Sequence, residues 1–466
     1  MWSAAPGGAE VRRIKPMAFW GNKEDGENPQ PGQQPAPPAQ GRLSGTLEDG
    51  YSEIVKAKGR APGIDLAIKL SDLILEHAVS ERASDVHIES QGANLRVRFR
   101  VDGILQDMLI AQKNADIPLT QRIRVLAGFD PEPPTSFRNE EGRFQKMLAG
   151  RAIQVRVSSF PTVNGEKLVL RVLDRQQLGL DLDQVGLDQD ALTLIKKLIR
   201  NPYGIFFITG STGSGKTTSL YAMLKNINTP MINIITLEDP VEYRLEGINQ
   251  AQISAKTGFT WSEGLRTILR QDPDVIMVGE IRDFDTAEIS LRAALTGHLL
   301  FTTIHTINSA SIIERLFEMG VPPFLIGSSM LGAVSQRLVR KVCPKCSQNA
   351  APPSEPVVNE FIKNMDPEEG KIVKELILKP GATYKVEKGC TECRNTGYLG
   401  RTGIFELMLM NEEIRKHILD HAPTDVIKRT AIRTGKMRTL LMDGILKARA
   451  GTTTLAEIIR VTATMV

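Results

Sequence analysis

The sequence predicts an α/β protein in which a small N-terminal α/β domain precedes a larger domain with a mostly parallel sheet. Three observations support this prediction. Short apolar runs alternate with helix-compatible segments in the second half of the 466-residue chain, as expected for successive strand–helix–strand units. A glycine-rich turn follows the first of these runs. Upstream, runs of alternating apolar and polar residues predict half-buried strands of a separate sheet.

Chain length and composition set the expected number of domains. A chain of 466 residues is too long for one hydrophobic core, so we expect two or three domains. Residues 1–62 should form a disordered-looking tail, because Gly, Pro and Gln dominate residues 29–38. We expect the small domain over residues 63–175, a linker over 176–190 and the larger domain over 191–466.

The small domain contains one helical and several strand patterns. Apolar residues recur at helical spacing over residues 65–82, which predicts an amphipathic helix. Residues 95–101 alternate strictly and lead into Asp102-Gly103, which indicates a strand followed by a hairpin turn. Two more alternating strands are expected at residues 153–157 and 168–172.

Charge and composition limit the classes of partner. The net charge is +4 and only 5% of residues are aromatic, so the chain offers few stacking platforms for single strands, and we expect no nucleic-acid partner. No apolar run approaches the roughly 20 residues that span a bilayer. We therefore expect a cytoplasmic protein whose membrane contact is indirect.

The glycine-rich turn fits the phosphate-loop pattern GxxxxGK[ST], between the apolar run 205–208 and the helix-compatible segment 219–226. Its glycines allow backbone N–H groups to approach an anion at the start of the following helix. Lys216 would lie between the β- and γ-phosphates, and Thr217 would bind Mg²⁺. A turn that binds nothing is the disfavoured alternative. The expected nucleotide-binding residues are Gly210, Ser211, Thr212, Gly213, Ser214, Gly215, Lys216, Thr217 and Thr218.

Acidic residues follow two further predicted strands. Residues 232–237 lead into Glu238, and residues 275–278 lead into Gly279 and Glu280. Because ligands bind at the carboxyl ends of parallel strands, we expect both carboxylates beside the phosphate loop. There an acid could hold Mg²⁺ or orient the attacking water, and either glutamate could take the second role. Simple capping or ion pairing is the alternative.

Two histidines bracket the predicted strand 299–303. His305 follows this strand and should lie on the nucleotide side of the sheet, as a γ-phosphate sensor or polar relay. His298 precedes the strand, and a structural role is equally compatible with its position.

The four cysteines form two CxxC pairs. Four thiolates are the tetrahedral ligand set that zinc prefers, and a filled set indicates a structural metal. We expect a zinc-binding insert over about residues 341–400, and a pair of redox-active CxxC motifs is the alternative. The predicted zinc ligands are Cys343, Cys346, Cys390 and Cys393.

Together these motifs resemble the secretion-superfamily ATPases, the motors of type II secretion and type IV pilus assembly. The resemblance covers roughly residues 63–466 and rests on the phosphate loop, an aspartate box at 237–243, a Walker B segment at 272–283 and a histidine box at 296–305. It implies a RecA-like larger domain and hydrolysis of ATP for mechanical work. It also implies a homo-hexamer, peripheral at the inner membrane through a platform protein.

In this family the small domain supplies arginines to the nucleotide. The matching positions are Arg143, Arg156 and Arg171. The strand alternation independently points the last two away from their own core. A solvated strand face is the alternative for these arginines.

Two other functions stay open at this point. A RecA-like nucleic-acid translocase or helicase could use the same nucleotide site and place the cysteine knuckles on DNA. A nucleotide-binding scaffold could sense ATP without hydrolysing it. The motifs do not separate protein secretion from pilus or competence-filament assembly.

Overall fold

Two large sheets organise the part of the chain that the computed structural model describes. A six-stranded and a seven-stranded sheet carry the main hydrophobic cores, and a two-stranded sheet lies among the cysteine-bearing segments. The predicted α/β class is confirmed. The described residues are 46–58, 64–132, 140–148, 150–174, 181–254 and 257–463.

The first sheet is antiparallel throughout, with strand order β3-β2-β1-β6-β5-β4. Its strands are β1 (Asp85–Gln91), β2 (Asn94–Val101), β3 (Ile104–Gln112), β4 (Glu140–Leu148), β5 (Arg151–Thr162) and β6 (Gly165–Asp174). Leu95, Val97 and Phe99 of β2 are fully buried, as the alternating pattern predicts. Their core is shared with the helices α1 (Leu47–Lys58), α2 (Ile64–Ser80) and α3 (Asp116–Ala127).

Helix α1 corrects the prediction that residues 1–62 form a disordered-looking tail. Residues 47–58 are helical, and Leu47 is 1% exposed in the core of the small sheet. Residues 1–45 and 59–63 lie outside the described residues. The sequence pattern missed α1 because a 12-residue helix with few apolar side chains depends on tertiary packing rather than on its own propensity.

The second sheet has strand order β15-β12-β7-β11-β10-β8-β9, and only the β15–β12 pair is antiparallel. The central strands are buried along their whole length. Both faces are covered, which explains their continuous apolar runs. The strands are β7 (Gly204–Thr209), β8 (Ile234–Glu238), β9 (Asn249–Gln252), β10 (Val275–Val278), β11 (Leu299–Ile304), β12 (Met330–Val342) and β15 (Tyr398–Leu409).

Helices connect and cover these strands. Asp188, Thr260 and Asp283 cap three of them with side-chain hydrogen bonds to the backbone. The helices are α4 (Gln189–Leu198), α5 (Lys216–Ile227), α6 (Trp261–Ile268), α7 (Phe284–Leu295), α8 (Ser311–Glu318) and α9 (Pro323–Ser329), followed after the cysteine-bearing segments by α12 (Glu412–Leu419), α13 (Thr424–Gly435), α14 (Leu440–Arg449) and α15 (Leu455–Thr462). None of the described helices has the length and apolar character needed to cross a membrane.

The segment between the two cysteine pairs contains secondary structure of its own. Its elements are β13 (Gln348–Asn349), α10 (Glu355–Ile362), α11 (Pro367–Leu378) and β14 (Lys385–Val386). The two short strands pair with each other and so close the segment at its base.

The predicted linker, residues 176–190, packs partly against the large sheet. Leu182 and Val185 are 2% and 7% exposed and share a core with Leu192 of α4. Residues 175–180 lie outside the described part of the chain. The polar composition of the segment gave no sign that Leu182 and Val185 would be buried. Because both pack in the core of the large sheet, residues 182–190 belong structurally to the larger domain.

A charged residue is buried in the small sheet's core. The Arg124 side chain is 0% exposed, and its guanidinium pairs with Glu166 and with Glu140, the latter at 2.7 Å. Its Nε donates to the backbone carbonyl of Asp130 at 2.6 Å. Because Glu166 is itself 6% exposed, removal of the guanidinium leaves a buried carboxylate without its counter-ion.

We predict that Arg124→Ala lowers the free energy of unfolding by about 3–5 kcal/mol, the usual cost of stranding a buried charge. Urea denaturation followed by circular dichroism measures this quantity. Arg96→Ala is the control, because the Arg96–Asp107 pair on the same sheet is exposed and should be nearly neutral. Equal unfolding midpoints for the two variants would contradict the prediction.

Candidate functional site

Four parallel strands end at one edge of the large sheet. Ile304 of β11 pairs with Thr209 of β7, and Val278 of β10 pairs with both Thr302 and Leu237. The chain segments that follow these strands therefore emerge side by side. They are the glycine-rich loop, Glu238, Glu280 and His305, as the sequence predicts.

The glycine-rich loop joins β7 to α5. Gly215 has a φ of 89° and caps α5 in the left-handed conformation that glycine adopts readily. A Cβ atom at Gly210 would lie 2.3 Å from the carbonyl oxygen of Gln336, so a larger residue does not fit. The loop curls around Lys216, whose Nζ donates to the carbonyls of Gly210 at 2.8 Å and Ser211 at 3.2 Å. This arrangement is suited to an anion at the helix N-terminus.

Lys216 lies among charged groups. Burial lowers its pKa, the Glu280 carboxylate raises it, and the Arg337 guanidinium lowers it further. Burial also lowers the pKa of Arg337. The next residue, Thr217, is exposed. Two cations and one carboxylate thus share the region in which the loop would hold phosphates.

Glu280 follows Gly279 at the end of β10, and its side chain is 16% exposed. It pairs with Arg282, and its Oε2 lies 3.5 Å from Nε2 of His305. Thr303 donates a hydrogen bond of 2.7 Å to the Gly279 carbonyl and ties the two strand ends together. The structure therefore brings the predicted Glu280 and His305 into contact.

The two histidines have different surroundings. Nδ1 of His298 lies 3.0 Å from the carbonyl oxygen of Ala293 in α7, at the amino end of β11. His305 lies beyond the other end, where the Thr306 N–H donates to Oγ1 of Thr209 at 2.9 Å. Only His305 is at the edge that carries the glycine-rich loop.

Glu238 is enclosed more completely than Glu280. It is 4% exposed. Its Oε1 accepts from Thr236 at 2.5 Å and Gln250 at 3.1 Å, and its Oε2 accepts from the Tyr221 hydroxyl. Burial, together with the Glu238 carboxylate, raises the pKa of Tyr221. Both Glu238 oxygens are therefore engaged by neutral donors, whereas Glu280 contacts the Arg282 guanidinium and the His305 imidazole.

The three predicted arginines form a row across the small sheet. Arg143 pairs with Arg156 across β4 and β5, and Arg156 pairs with Arg171 across β5 and β6. Nη2 of Arg156 lies 3.2 Å from the carbonyl oxygen of Val241 and 3.0 Å from Oε2 of Glu242. Arg156, the middle member of the row, therefore contacts the segment that follows Glu238.

The outer members of the row have other surroundings. Nε of Arg171 lies 3.2 Å from Oδ1 of Asp85, and its side chain is 54% exposed. Arg143 is exposed on β4. The approach of these arginines to a nucleotide stays a prediction.

Strand β12 adds residues that the sequence reasoning missed. Oε1 of Gln336 accepts from Ser219 of α5 at 2.8 Å. Arg337 follows it, and its buried Nε has no hydrogen-bond partner in the described part of the chain. Both reach the loop because β12 pairs with β7, with Ser335 opposite Thr209. No local motif marks them, since the pairing joins distant parts of the sequence.

The four cysteines converge on one point. Their Sγ atoms all lie within 4.8 Å of one another. The Sγ atoms of Cys343 and Cys390 are 3.8 Å apart. The Sγ–Sγ distances for the pairs Cys346–Cys393 and Cys390–Cys393 are each 3.7 Å. A tetrahedral zinc ion with Zn–S bonds of about 2.3 Å requires sulfur atoms about 3.8 Å apart. All four cysteines are free of disulfides, so the donor set fits zinc.

Backbone groups support this cluster. The N–H groups of Cys390 and Gly397 each donate to Sγ of Cys393 at 3.2 Å. A hydrogen bond from the Cys393 backbone is the main cause that lowers the pKa of Cys390 to about 7. Donors of this kind favour thiolates, the form that binds a metal.

The chain is similar to one described family and to several of its members. It matches the model of the family described as "Type II/IV secretion system protein" over residues 61–460. Type II secretion system protein E of Pectobacterium carotovorum subsp. carotovorum is 43% identical over 395 residues, which cover 85% of this chain and 75% of the relative. Type II secretion system ATPase E of Vibrio cholerae serotype O1 is 41% identical over 396 residues, with the same coverage of 85% and 75%.

A solved structure supports the fold. The ATPase DotB of Legionella pneumophila superposes with a TM-score of 0.58 at 22% identity, over 84% of this chain and 95% of that one. The predicted RecA-like fold of the larger domain is confirmed. The family match spans most of the chain, and the relatives above share more than two fifths of its aligned residues. The chain therefore belongs to the Type II/IV secretion system protein family.

Proposed function

We propose that this chain is an ATPase that hydrolyses ATP to power type II protein secretion or the assembly of a related pilus filament. The observation that carries the proposal is the complete phosphate loop with Glu280 and His305 in contact beside it. The relatives named type II secretion proteins, one of them an ATPase, support the biological setting.

The loop residues 210–218 would bind the triphosphate, with Lys216 at the β- and γ-phosphates and backbone N–H groups around them. The exposed Thr217 hydroxyl and the Glu280 carboxylate are the groups that would hold Mg²⁺, Glu280 through water. The ion would neutralise charge on the phosphates. The half-buried Lys216 is suited to this role because phosphate oxygens restore the stabilisation that burial removes.

The surroundings of the two acids favour Glu280 as the residue that orients the attacking water. It lies beside His305, and its carboxylate contributes to the electrostatic environment of Lys216. Glu238 is 4% exposed and already accepts hydrogen bonds from Tyr221, Thr236 and Gln250, so water has less access to it than to Glu280. His305 would respond to the γ-phosphate through its contact with Glu280.

The arginine row would complete the site from the small domain. Arg156 already contacts the segment after Glu238. A shift of the small sheet would bring Arg143, Arg156 and Arg171 to the γ-phosphate, where guanidinium groups offset negative charge. Hydrolysis would then alter the contact between the domains and produce mechanical work.

We further propose that the chain works as a homo-hexamer at the cytoplasmic face of the inner membrane and acts on a membrane-bound platform protein. The type II secretion relatives support this setting. The four-cysteine cluster would hold one structural zinc ion.

The first prediction from the proposed function concerns the phosphate loop and its acid. Lys216→Ala should abolish nucleotide binding and turnover. Glu280→Gln should keep binding and lower turnover by about 10²-fold or more, the usual contribution of a positioned acid or base. Phosphate release and nucleotide titration measure the two effects. Lys225→Ala on the same helix is the control, because Lys225 forms an exposed pair with Asp181 and should not affect turnover. Wild-type turnover in both Lys216→Ala and Glu280→Gln would refute these roles.

The second prediction concerns the arginine row. Arg156→Ala should lower kcat for ATP by about 10³-fold, as loss of an arginine that stabilises phosphoryl transfer generally does. Arg156→Lys should recover little of this loss, because an ammonium lacks the planar fork of guanidinium. Steady-state kinetics test this, with Arg96→Ala on the same sheet as the comparison. Equal kcat for Arg156→Ala and Arg96→Ala would exclude a catalytic arginine at this position.

The third prediction concerns zinc. The purified chain should contain about one zinc ion, and chelation should lower the midpoint of thermal unfolding because metal binding is coupled to local folding. Lower pH should weaken binding, since protons compete for the thiolates. Elemental analysis and differential scanning fluorimetry test this, with Cys390→Ser as the variant that should lose the ion. A metal-free protein of unchanged stability would contradict the assignment.

A further inference from the structure

The loop after the second cysteine pair contacts the small sheet. Arg394 directly follows the ligand Cys393 and forms an ion pair with Glu81, just beyond the end of α2. The Glu81 and Arg394 side chains are 5% and 16% exposed, so the pair is largely shielded from water. Nη1 of Arg394 also lies 3.6 Å from Sδ of Met108 in β3. One side chain of the cysteine knuckle thus contacts two elements of the small domain.

A second contact lies a few residues further along. The N–H of Gly400 donates to Oδ2 of Asp102 at 2.9 Å, and Nε of Arg401 lies 3.6 Å from Oδ1 of the same carboxylate. Asp102 forms the turn between β2 and β3. Residues 394–401 therefore meet the small sheet at two separate points.

The cysteine cluster fixes the shape of this loop. Arg394 and Asn395 have φ angles of 53° and 59°, a left-handed conformation that is unfavourable for residues with a side chain. The cluster encloses this turn, because the N–H groups of Cys390 and Gly397 donate to Sγ of Cys393 on either side of it. Metal–thiolate bonds would hold Cys390 and Cys393 together and so stabilise the conformation that presents Arg394.

We propose that the cysteine knuckle is a metal-dependent clamp between the two domains, in which the bound ion holds the loop that docks Arg394 on Glu81. The proposal rests on the zinc site proposed above, but not on ATP hydrolysis. Glu81 lies four residues before Asp85 of β1, which pairs with Arg171 of the arginine row. The clamp would therefore act on the segment that leads into β1.

The contact is tested by hydrogen exchange in the full-length, zinc-loaded chain without nucleotide. Arg394→Ala should retain its zinc and raise amide exchange about 10-fold or more in peptides covering residues 81–86 and 99–104, because their docking is lost. Lys345→Ala is the matched control. Its exposed pair with Glu392 lies within the knuckle, so these peptides should stay at wild-type rates. Wild-type exchange in Arg394→Ala overturns the clamp.

The metal dependence is tested by chelation with EDTA. Removal of zinc from the wild-type chain should raise amide exchange in the same peptides to the level seen in Arg394→Ala. In Arg394→Ala itself, removal of zinc should raise exchange in these peptides little further. Unchanged protection after measured loss of zinc, or a wild-type chain that never contains the metal, overturns the metal dependence. The exchanged pair Glu81→Arg with Arg394→Glu should restore part of the protection, which a general folding defect would not allow. These exchange measurements are made without nucleotide, so a chain that does not hydrolyse ATP would still give the same results.

Discussion

The parallel register of the four central strands is the constraint on which the site depends. Hydrogen bonds between β7 and β11, and between β10 and its two neighbours, make all four strands end at one edge of the sheet. Each of these strands is buried on both faces. A shift of register would therefore carry polar residues that flank the strands into the core and disrupt the hydrogen bonds between the strands. The glycine-rich loop, Glu238, Glu280 and His305 owe their proximity to this register, which also allows Glu280 and His305 to meet.

Within this edge the charges are unequally shielded. Lys216 is desolvated and compensated in part by Glu280, while Arg337 adds positive charge. Glu238 is satisfied by three neutral donors in the core. The local field therefore favours an anionic ligand in front of the loop. Of the two acids, Glu280 is 16% exposed and Glu238 is 4% exposed.

In the described part of the chain, polar contacts join the small domain to the larger one in two regions. The arginine row of the small sheet touches the segment after Glu238 through Arg156. Elsewhere on the sheet, Glu81 and Asp102 hold the cysteine knuckle through Arg394 and its neighbours. A movement that brings the row to a nucleotide must work against the second attachment. In the clamp proposed above, the knuckle would therefore contribute to the mechanics between the two domains as well as to local stability.

The sequence by itself determined whatever depends on neighbours in the chain. Glycine geometry and the lysine predict a phosphate loop, thiol chemistry predicts a set of zinc ligands, and strand alternation places Arg156 and Arg171 on one outward face. Tertiary structure alone decided which distant segments meet. It placed Gln336 and Arg337 of β12 beside the loop, closed Tyr221 over Glu238, ordered α1 and docked Arg394 on Glu81. These contacts join residues that are far apart in sequence, and strand order and domain docking have no local signature.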